Sequence, residues 1–566
     1  MSQTETGSPS LAGSREAAVT ALDRVAARRD AWVRTPIPER MGLLRACLTG
    51  VQDVADEWID RACRARQIDP RSPLAGEEWM SGVMTTVRGT RLLVEALAEG
   101  GQPRPRAILR RPDGRTVARV FPRTARDRIV YLGMTAEVWI EPGKPASQGR
   151  IYKEKAEGRY PPGRVALVLG AGNISSIGPL DVLTKLVVED QVAVLKMNPV
   201  NDYLAPLFER VFRSLIEAGY VAIVTGGKDV GALLTRHPLV DSIHLTGSDR
   251  THDTIVWGAS PDERARRKAA GEPLLDKEFT SELGCVTPVL IVPGPWSMSD
   301  LAFQARQVAS MVAHNASFNC TAGKVLVLAR GWPQRADFLE HLSDALARMP
   351  ARYAYYPGAE DRYRAVLDRY PQSRVLGRRG PGAIPWTLIP DVPPIKGEYA
   401  LSTEAFCGVL AEVTLEGQST GEFVERAVAF ANEMLWGTLS CVILVDDRSA
   451  RERRDLVEQA IADLRHGTIG VNAWTGANFS LGVTTWGAYP GHRLEDIGSG
   501  RGVVHNACLF DYPEKSVIRA PFRLRPTPVW FADHRTLADV GRLAAQYEAK
   551  PSWSRLIPLG LAAMRG

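Results

Sequence analysis

Between residues 164 and 245, apolar runs of four or five residues alternate with longer segments of helical spacing, and this alternation limits the fold more than any other feature. Strands are expected at 165–169, 192–196, 221–224 and 242–245, with helices at 177–188, 203–218 and 230–236 between them. Crossovers of that length join strands in parallel, and near-continuous Val, Leu and Ile runs are what strands covered on both faces require. The chain is therefore expected to be α/β, with a doubly wound parallel sheet whose ligand belongs at the carboxyl ends of the strands.

The residues at those ends are small and polar. The first end, Gly170-Ala171-Gly172-Asn173-Ile174-Ser175, resembles a GxGxxG turn with its last glycine replaced by Ser175. The acid that would hold a ribose at the end of the next strand is absent: Lys196 stands there, while Glu189 and Asp190 precede the strand. A dinucleotide would have to be held in another way. The fourth strand runs into Thr246-Gly247-Ser248, which suits a close approach to phosphate and equally a tight strand–helix turn. Further on, the polar segment from Ser317 to Lys324 carries a single cysteine, Cys320, and enters an apolar run at 325–329. Backbone N–H groups at the start of such an element lower a thiol pKa, and a thiolate there can attack a carbonyl carbon. A lone cysteine is otherwise a small buried hydrophobe.

Around this centre the periodicity predicts helices through most of 14–100, a loop or exposed arm at 102–125, and paired strands at 128–132 and 136–140, with a possible third at 151–155. Residues 249–277 are polar, 351–400 loop-rich, and 473–492 a loop dense in glycine and aromatics. The apolar run 556–564, with Trp553 before it, reads as a helix packed on the body or on a partner. It is too short to span a bilayer. The 70 basic and 64 acidic residues give a net charge of only +6, and the basic groups are scattered, which argues against a nucleic-acid partner. Seven dispersed cysteines without a CxxC pair make neither a disulfide framework nor a metal site, and they suit a reducing cytosol. The Ser/Gly/Thr-rich first fourteen residues lack the apolar core of a secretory signal, and no apolar run is long enough for a membrane span.

Taken in order, Gly172-Asn173, Lys196, Gly227-x-x-x-Gly231, Thr246-Gly247-Ser248, Glu282-Leu283-Gly284, Cys320 and Glu404-x-Phe406 resemble the motifs of the aldehyde dehydrogenase superfamily. Gly437 and Gly470-Val471-Asn472 extend the match. The resemblance implies a Rossmann-type cofactor domain over 1–125 and 160–283, and an α/β catalytic domain over 284–500. It also implies a small β oligomerisation flap from 126–159 and 501–529, with 530–566 as a tail. Such a member would be a cytoplasmic homodimer or homotetramer that uses NAD or NADP, and no metal, to oxidise an aldehyde to a carboxylic acid. Cys320 would attack the aldehyde to give a thiohemiacetal, with the Asn173 side chain and the Cys320 N–H holding the oxyanion. Hydride would pass to the nicotinamide, leaving a thioester, and Glu282 would activate the water that hydrolyses it. Glu404 would hold the nicotinamide ribose and Phe406 would pack by the ring. Lys196 would reach the adenosine ribose, and Ser248, after Thr246 and Gly247, the pyrophosphate. Gly227 and Gly231 complete the cofactor set.

Departures from the pattern bear on specificity. Gly172 stands where an aromatic is common and Phe318-Asn319 where glycine–glutamine is common, while 249–277 looks like an insertion. With Phe318, Trp474 and Phe479 as apolar walls, a missing side chain at Gly172 points to medium or bulky hydrophobic aldehydes. Pro199 occupies the position three after Lys196 where members that favour NAD carry a glutamate, so NADP should be tolerated. A CoA-acylating enzyme is the rival within the family, disfavoured by the retained Glu282. A catalytically silent binding protein is the rival outside it, disfavoured by the retention of both Cys320 and Glu282.

Overall fold

Two sheets organise the computed structural model, which describes residues 11–566; most of the Ser/Gly/Thr-rich start lies outside the described residues. The smaller sheet has six strands in the order Gly500–Arg501, Glu278–Glu282, Ser242–Thr246, Val165–Leu169, Val192–Lys196, Val221–Val224. The last five are parallel, as their helical crossovers require. The chain winds outward from Val165–Leu169 in one direction and then returns to its other side with Ser242–Thr246. Connections leaving these two neighbours therefore part to opposite faces, which opens a crevice at their carboxyl ends. Register puts Leu169 beside Lys196, Lys196 beside Val224, and Thr246 beside Glu282 along that single edge.

The larger sheet has eleven strands. Seven parallel strands form its centre, running from Pro513–Arg519 through Thr468–Val471, Ser440–Leu444, Pro288–Ile291, Val325–Ala329 and Val409–Leu415 to Thr387–Ile389. Thr135–Ile140 lies antiparallel to Pro513–Arg519, so the two expected flap strands are neighbours. Pro513–Arg519 in turn pairs with Thr468–Val471 of the same chain, which makes one continuous sheet. The helix Ile37–Ala65 starts at the proline-marked boundary and buries Leu44, Val51, Val54, Trp58 and Ala62, a stripe at helical spacing, against Thr85–Ala98 and Ala205–Val211.

Several local expectations need correction. Residues 102–125 are not an arm: Ala107–Arg110 and Thr116–Phe121 form an antiparallel pair at the edge of the larger sheet, their arginines on the open side. The expected strand at 128–132 is instead the helix Ala125–Val130, set by a Thr124/Asp127 capping box. The possible strand at 151–155 is the helix Arg150–Ala156. In each case the apolar spacing was too short to separate the two periods, and a cap or a paired neighbour decided between them. The polar stretch 249–277 holds two capped helices, Asp249–Trp257 and Pro261–Ala270, and the loop-rich 351–400 contains the helix Ala359–Arg369. Among the described residues no helix is long and apolar enough to cross a membrane, and no group of His, Cys, Asp and Glu could hold a metal ion.

Candidate active site

Cys320 sits in the turn between the helix Met298–Ala313 and the strand Val325–Ala329 of the larger sheet. Glu282 closes a strand of the smaller sheet. The two sheets thus bring a thiol and a carboxyl close enough to interact directly. Cys320 packs against an apolar cluster that includes Ala171, Ile174, Cys285, Phe479 and Trp486. Burial raises the Glu282 pKa to about 8, with Asp181 and Glu404 adding negative charge nearby. The indole N–H of Trp486 is buried beside that carboxyl and free to donate to its ionised form. The expectation of a lowered thiol pKa is overturned. Burial, and then the charges of Glu282 and Glu404, push Cys320 well above its ordinary value. The thiol keeps its proton at neutral pH, beside a carboxyl that becomes an acceptor as pH rises towards about 8.

The backbone N–H of Cys320 has no partner within the fold among the described residues. One hydrogen of the Asn173 side-chain amide goes to Phe318 O, two residues before the thiol, at 3.0 Å, and the other has no partner among the described residues. A buried polar network fixes this arrangement. Asn315, Ala316 and Ser317 all have left-handed φ angles of 53°, 54° and 68°. Three such non-glycine residues in a row are costly and persist only where the surroundings impose them. Asn315 N–H donates to Glu77 Oε2 at 3.0 Å, and its side chain donates to Asn173 O and Phe318 O, both at 3.1 Å. Glu77 is clamped by Arg352 through bonds of 2.8 and 2.6 Å. Burial alone would raise its pKa, but the Arg352 cation overrides it and holds the carboxyl at about 2. Asn173 O also accepts from Tyr355 and from Arg66, which is itself paired with Glu78. The Glu78 carboxylate in turn accepts from Trp58 and Ser175.

The expected cofactor residues line the same edge in part. Lys196 is largely buried at its strand end with no ion-pair partner among the described residues, its pKa lowered by burial against the pull of Asp202 and Asp229. Glu404 lies over Gly284, where any Cβ would collide with its carboxylate, and accepts from the Cys285 N–H. Burial lifts its pKa to about 7, while the buried ammonium of Lys324 opposes the rise. Its Oε1 is buried without a partner, an acceptor that a ribose hydroxyl could satisfy. Phe406 stands beside Phe318 and Tyr356 with centroids 5.6 and 5.0 Å away. Gly227 precedes the helix Lys228–Arg236, which contains Gly231. Thr246 turns inward to donate to Asp181 at 3.1 Å. Gly247 is in the turn that follows, and Ser248 caps the next helix, accepting from Thr251 N at 3.2 Å. An unpaired buried ammonium and an unpartnered buried carboxylate oxygen on one crevice fit a nicotinamide dinucleotide.

Gly172 does not open a tunnel. A Cβ there would come within 2.8 Å of Asn198 Oδ1 and Val200 Cβ, so the glycine allows the second strand's end to approach. Phe318 stacks with Tyr355 and Phe406, and Trp474 donates to Thr321 O at 2.8 Å. Only Phe479, of the three expected wall residues, stands in the cluster around the thiol. Reading from sequence missed the supports, namely Glu77, Arg352, Asn315, Trp486 and Lys324. It also missed Asp181, which is fully buried with His244 and His505 at 3.6 and 3.7 Å from its oxygens. The signal for Asp181 was visible as the one carboxylate inside the mostly apolar helix 177–188.

Residues 183–355 match the sequence model of the aldehyde dehydrogenase family. The α-ketoglutaric semialdehyde dehydrogenase 2 of Azospirillum brasilense is 27% identical over 303 residues, 51% of this chain and 54% of that protein, so the chain spans about half the length of this curated relative. Among solved structures, a salicylaldehyde dehydrogenase from Pseudomonas putida G7 superposes with a TM-score of 0.62 at 15% identity, over 91% of this chain and 92% of that one. An NADP-dependent glyceraldehyde-3-phosphate dehydrogenase from Bacillus halodurans C-125 superposes with a TM-score of 0.58 at 17% identity, over 89% of this chain and 91% of that one. The segment that carries both Glu282 and Cys320 thus matches the aldehyde dehydrogenase family, and the fold is that of aldehyde dehydrogenase structures across nine-tenths of the chain.

Proposed function

We propose that the chain oxidises an aldehyde to a carboxylic acid with NAD or NADP, and that Cys320 is the nucleophile. The observation that carries this reading is the contact between the Cys320 thiol and Glu282, made where the carboxyl edge of one sheet meets the other. Glu282 takes the thiol proton as the sulfur attacks, so charge is not exposed before substrate arrives. The developing oxyanion is met by the Cys320 N–H and the second Asn173 amide hydrogen, both held in place by the Glu77–Arg352–Asn315 network. A bound nicotinamide dinucleotide supplies the oxidant, with Glu404 and Lys196 holding its two riboses. Once it has released the thiol proton to solvent, Glu282 serves as the base for the water that hydrolyses the thioester, with Trp486 donating to its ionised form.

Replacing Cys320 with Ala is expected to reduce dehydrogenase turnover to background with the fold and cofactor binding intact. Cys285→Ala and Cys407→Ala are expected to retain it. Reduced nicotinamide absorbance measures this, and near-normal turnover by Cys320→Ala would sink the mechanism. The aldehyde screen begins with an aliphatic semialdehyde and salicylaldehyde, the kinds named for two similar proteins. Acyl-CoA formed from free CoA in the same assay would assign the chain to the acylating branch instead. The expected homo-oligomer belongs to this reading too. The edge strand Ala107–Arg110, with Ile108 and Leu109 exposed, is the surface for it, and light scattering on the eluted protein tests it.

A further inference from the structure

Of the twelve large apolar side chains exposed among the described residues, six lie together on two packed elements. Four of them, Trp553, Ile557, Leu561 and Met564, recur at helical spacing on the helix Trp553–Ala563 and the turn after it, and each is 53–68% exposed. The opposite face of the same helix buries Leu556, Leu559 and Ala562 against Val540, Tyr547 and Val130. Val130 belongs to Ala125–Val130, and the exposed Ile129 and Leu132 beside it extend the apolar face. A helix that is apolar on both sides has only one of them covered here.

Charge says what the open side fits. Lys550, Arg555 and Arg565 flank the stripe, and Arg126 and Arg128 come from the neighbouring helix. Arg126 is tied to this segment through Pro551 O at 3.3 Å. None of the five has a carboxylate partner among the described residues, so their charge on this face is not neutralised within the fold. Residues 549–566 contain no Asp or Glu. Self-association through this face about a two-fold axis would set the same cations against their own copies.

We propose that this face docks on an anionic lipid surface, lying in the interface with the Trp553 stripe inserted and the five cations at the headgroups. The helix is far too short to cross the bilayer, and its lone tryptophan and flanking cations are the anchors an interfacial helix uses.

The test is co-sedimentation of the full chain with vesicles of equal parts phosphatidylcholine and phosphatidylglycerol, against phosphatidylcholine alone. Binding is expected only to the anionic vesicles and is expected to fall as salt is raised. The double variant Ile557→Glu/Leu561→Glu is expected to lose affinity by about tenfold or more. Arg555→Gln and Arg565→Gln should each cost roughly fivefold. Ile557, Leu561 and Arg565 are exposed, and the half-buried Arg555 gives up only its bond to Gln546 O; all four lie outside the catalytic site, so melting temperature and dehydrogenase turnover should stay unchanged in all three variants. Failure to bind anionic vesicles, equal binding to neutral ones, or full binding by the double variant overturns the proposal. So does a concentration-dependent dimer that the double variant dissolves.

Discussion

Glu282 carries the pH dependence of the proposed reaction. Its raised pKa of about 8 means that the basic form is scarce at pH 6 and dominant above the inflection. Turnover should therefore rise about tenfold per pH unit on the acid side and level off above about 8. Glu282→Gln should slow both the burst and the steady state of reduced cofactor in rapid mixing, and should abolish that inflection. A variant whose pH profile keeps the inflection near 8 would assign the titration to another group, with Glu404, raised to about 7, as the neighbour to test next.

At the scale of elements, the catalytic turn holds its shape because charges from the N-terminal helical layer reach into it. Glu77 accepts the Asn315 N–H while clamped by Arg352, and both side chains are almost fully buried. Glu77→Gln should leave Arg352 unpaired and cost about 3 kcal/mol of stability. It should also depress kcat more than the KM for cofactor, because the turn carrying Cys320 loses its brace. Linkage gives a second readout. The Glu77 pKa is lowered from 4.5 to about 2, so its stabilisation is complete above the unfolded value and disappears as pH falls through that window. Acid titration of the wild type and of Glu77→Gln should converge there. The strand end at Lys196 decides the other element-scale property. Pro199 offers neither charge nor N–H, and Asp202 is near enough to attract the lysine without pairing with it. NADP should therefore be used within about a hundredfold of NAD in kcat/KM, or ~2.7 kcal/mol, and a larger preference for NAD would assign Asp202 the missing carboxylate's role.

Over the whole molecule, the last two helices close the structure onto its beginning. Leu537–Ala549 packs on the π-helical segment Trp79–Met84, and its Glu548 is buried between Arg88 and Arg91. The pairing holds the Glu548 pKa down despite burial. Glu548→Ala would strand two buried guanidinium groups, and a loss of about 3 kcal/mol is expected. Thermal unfolding should register it as a lower melting temperature, with turnover per folded molecule unchanged. A variant as stable as the parent would show that the tail contributes nothing to the fold.

The parallel sheet and its crevice could be read directly from the sequence, because strands buried on both faces impose continuous apolar runs and crossovers impose direction. Three residues along the crevice were legible for the same reason, since Asn173, Lys196 and Thr246 each follow or end such a run, whereas Glu282 ends the polar strand Glu278–Glu282 and was legible only through the family motif. Short amphipathic pieces such as 107–130 and 150–156 were not, since a handful of residues cannot tell a period of two from one of 3.6 until a neighbour is present to pair with. The chemistry of the thiol was decided only in three dimensions. Its sequence neighbours are small and polar, which suggested an easily ionised cysteine. Burial and the carboxyl of Glu282, thirty-eight positions earlier, set its pKa instead. The role of Gly172 went the same way, since only the packed Asn198 and Val200 show that its missing side chain makes room for their side chains and not for substrate. Periodicity is local and survives in the sequence, whereas desolvation and charge depend on what the fold brings near.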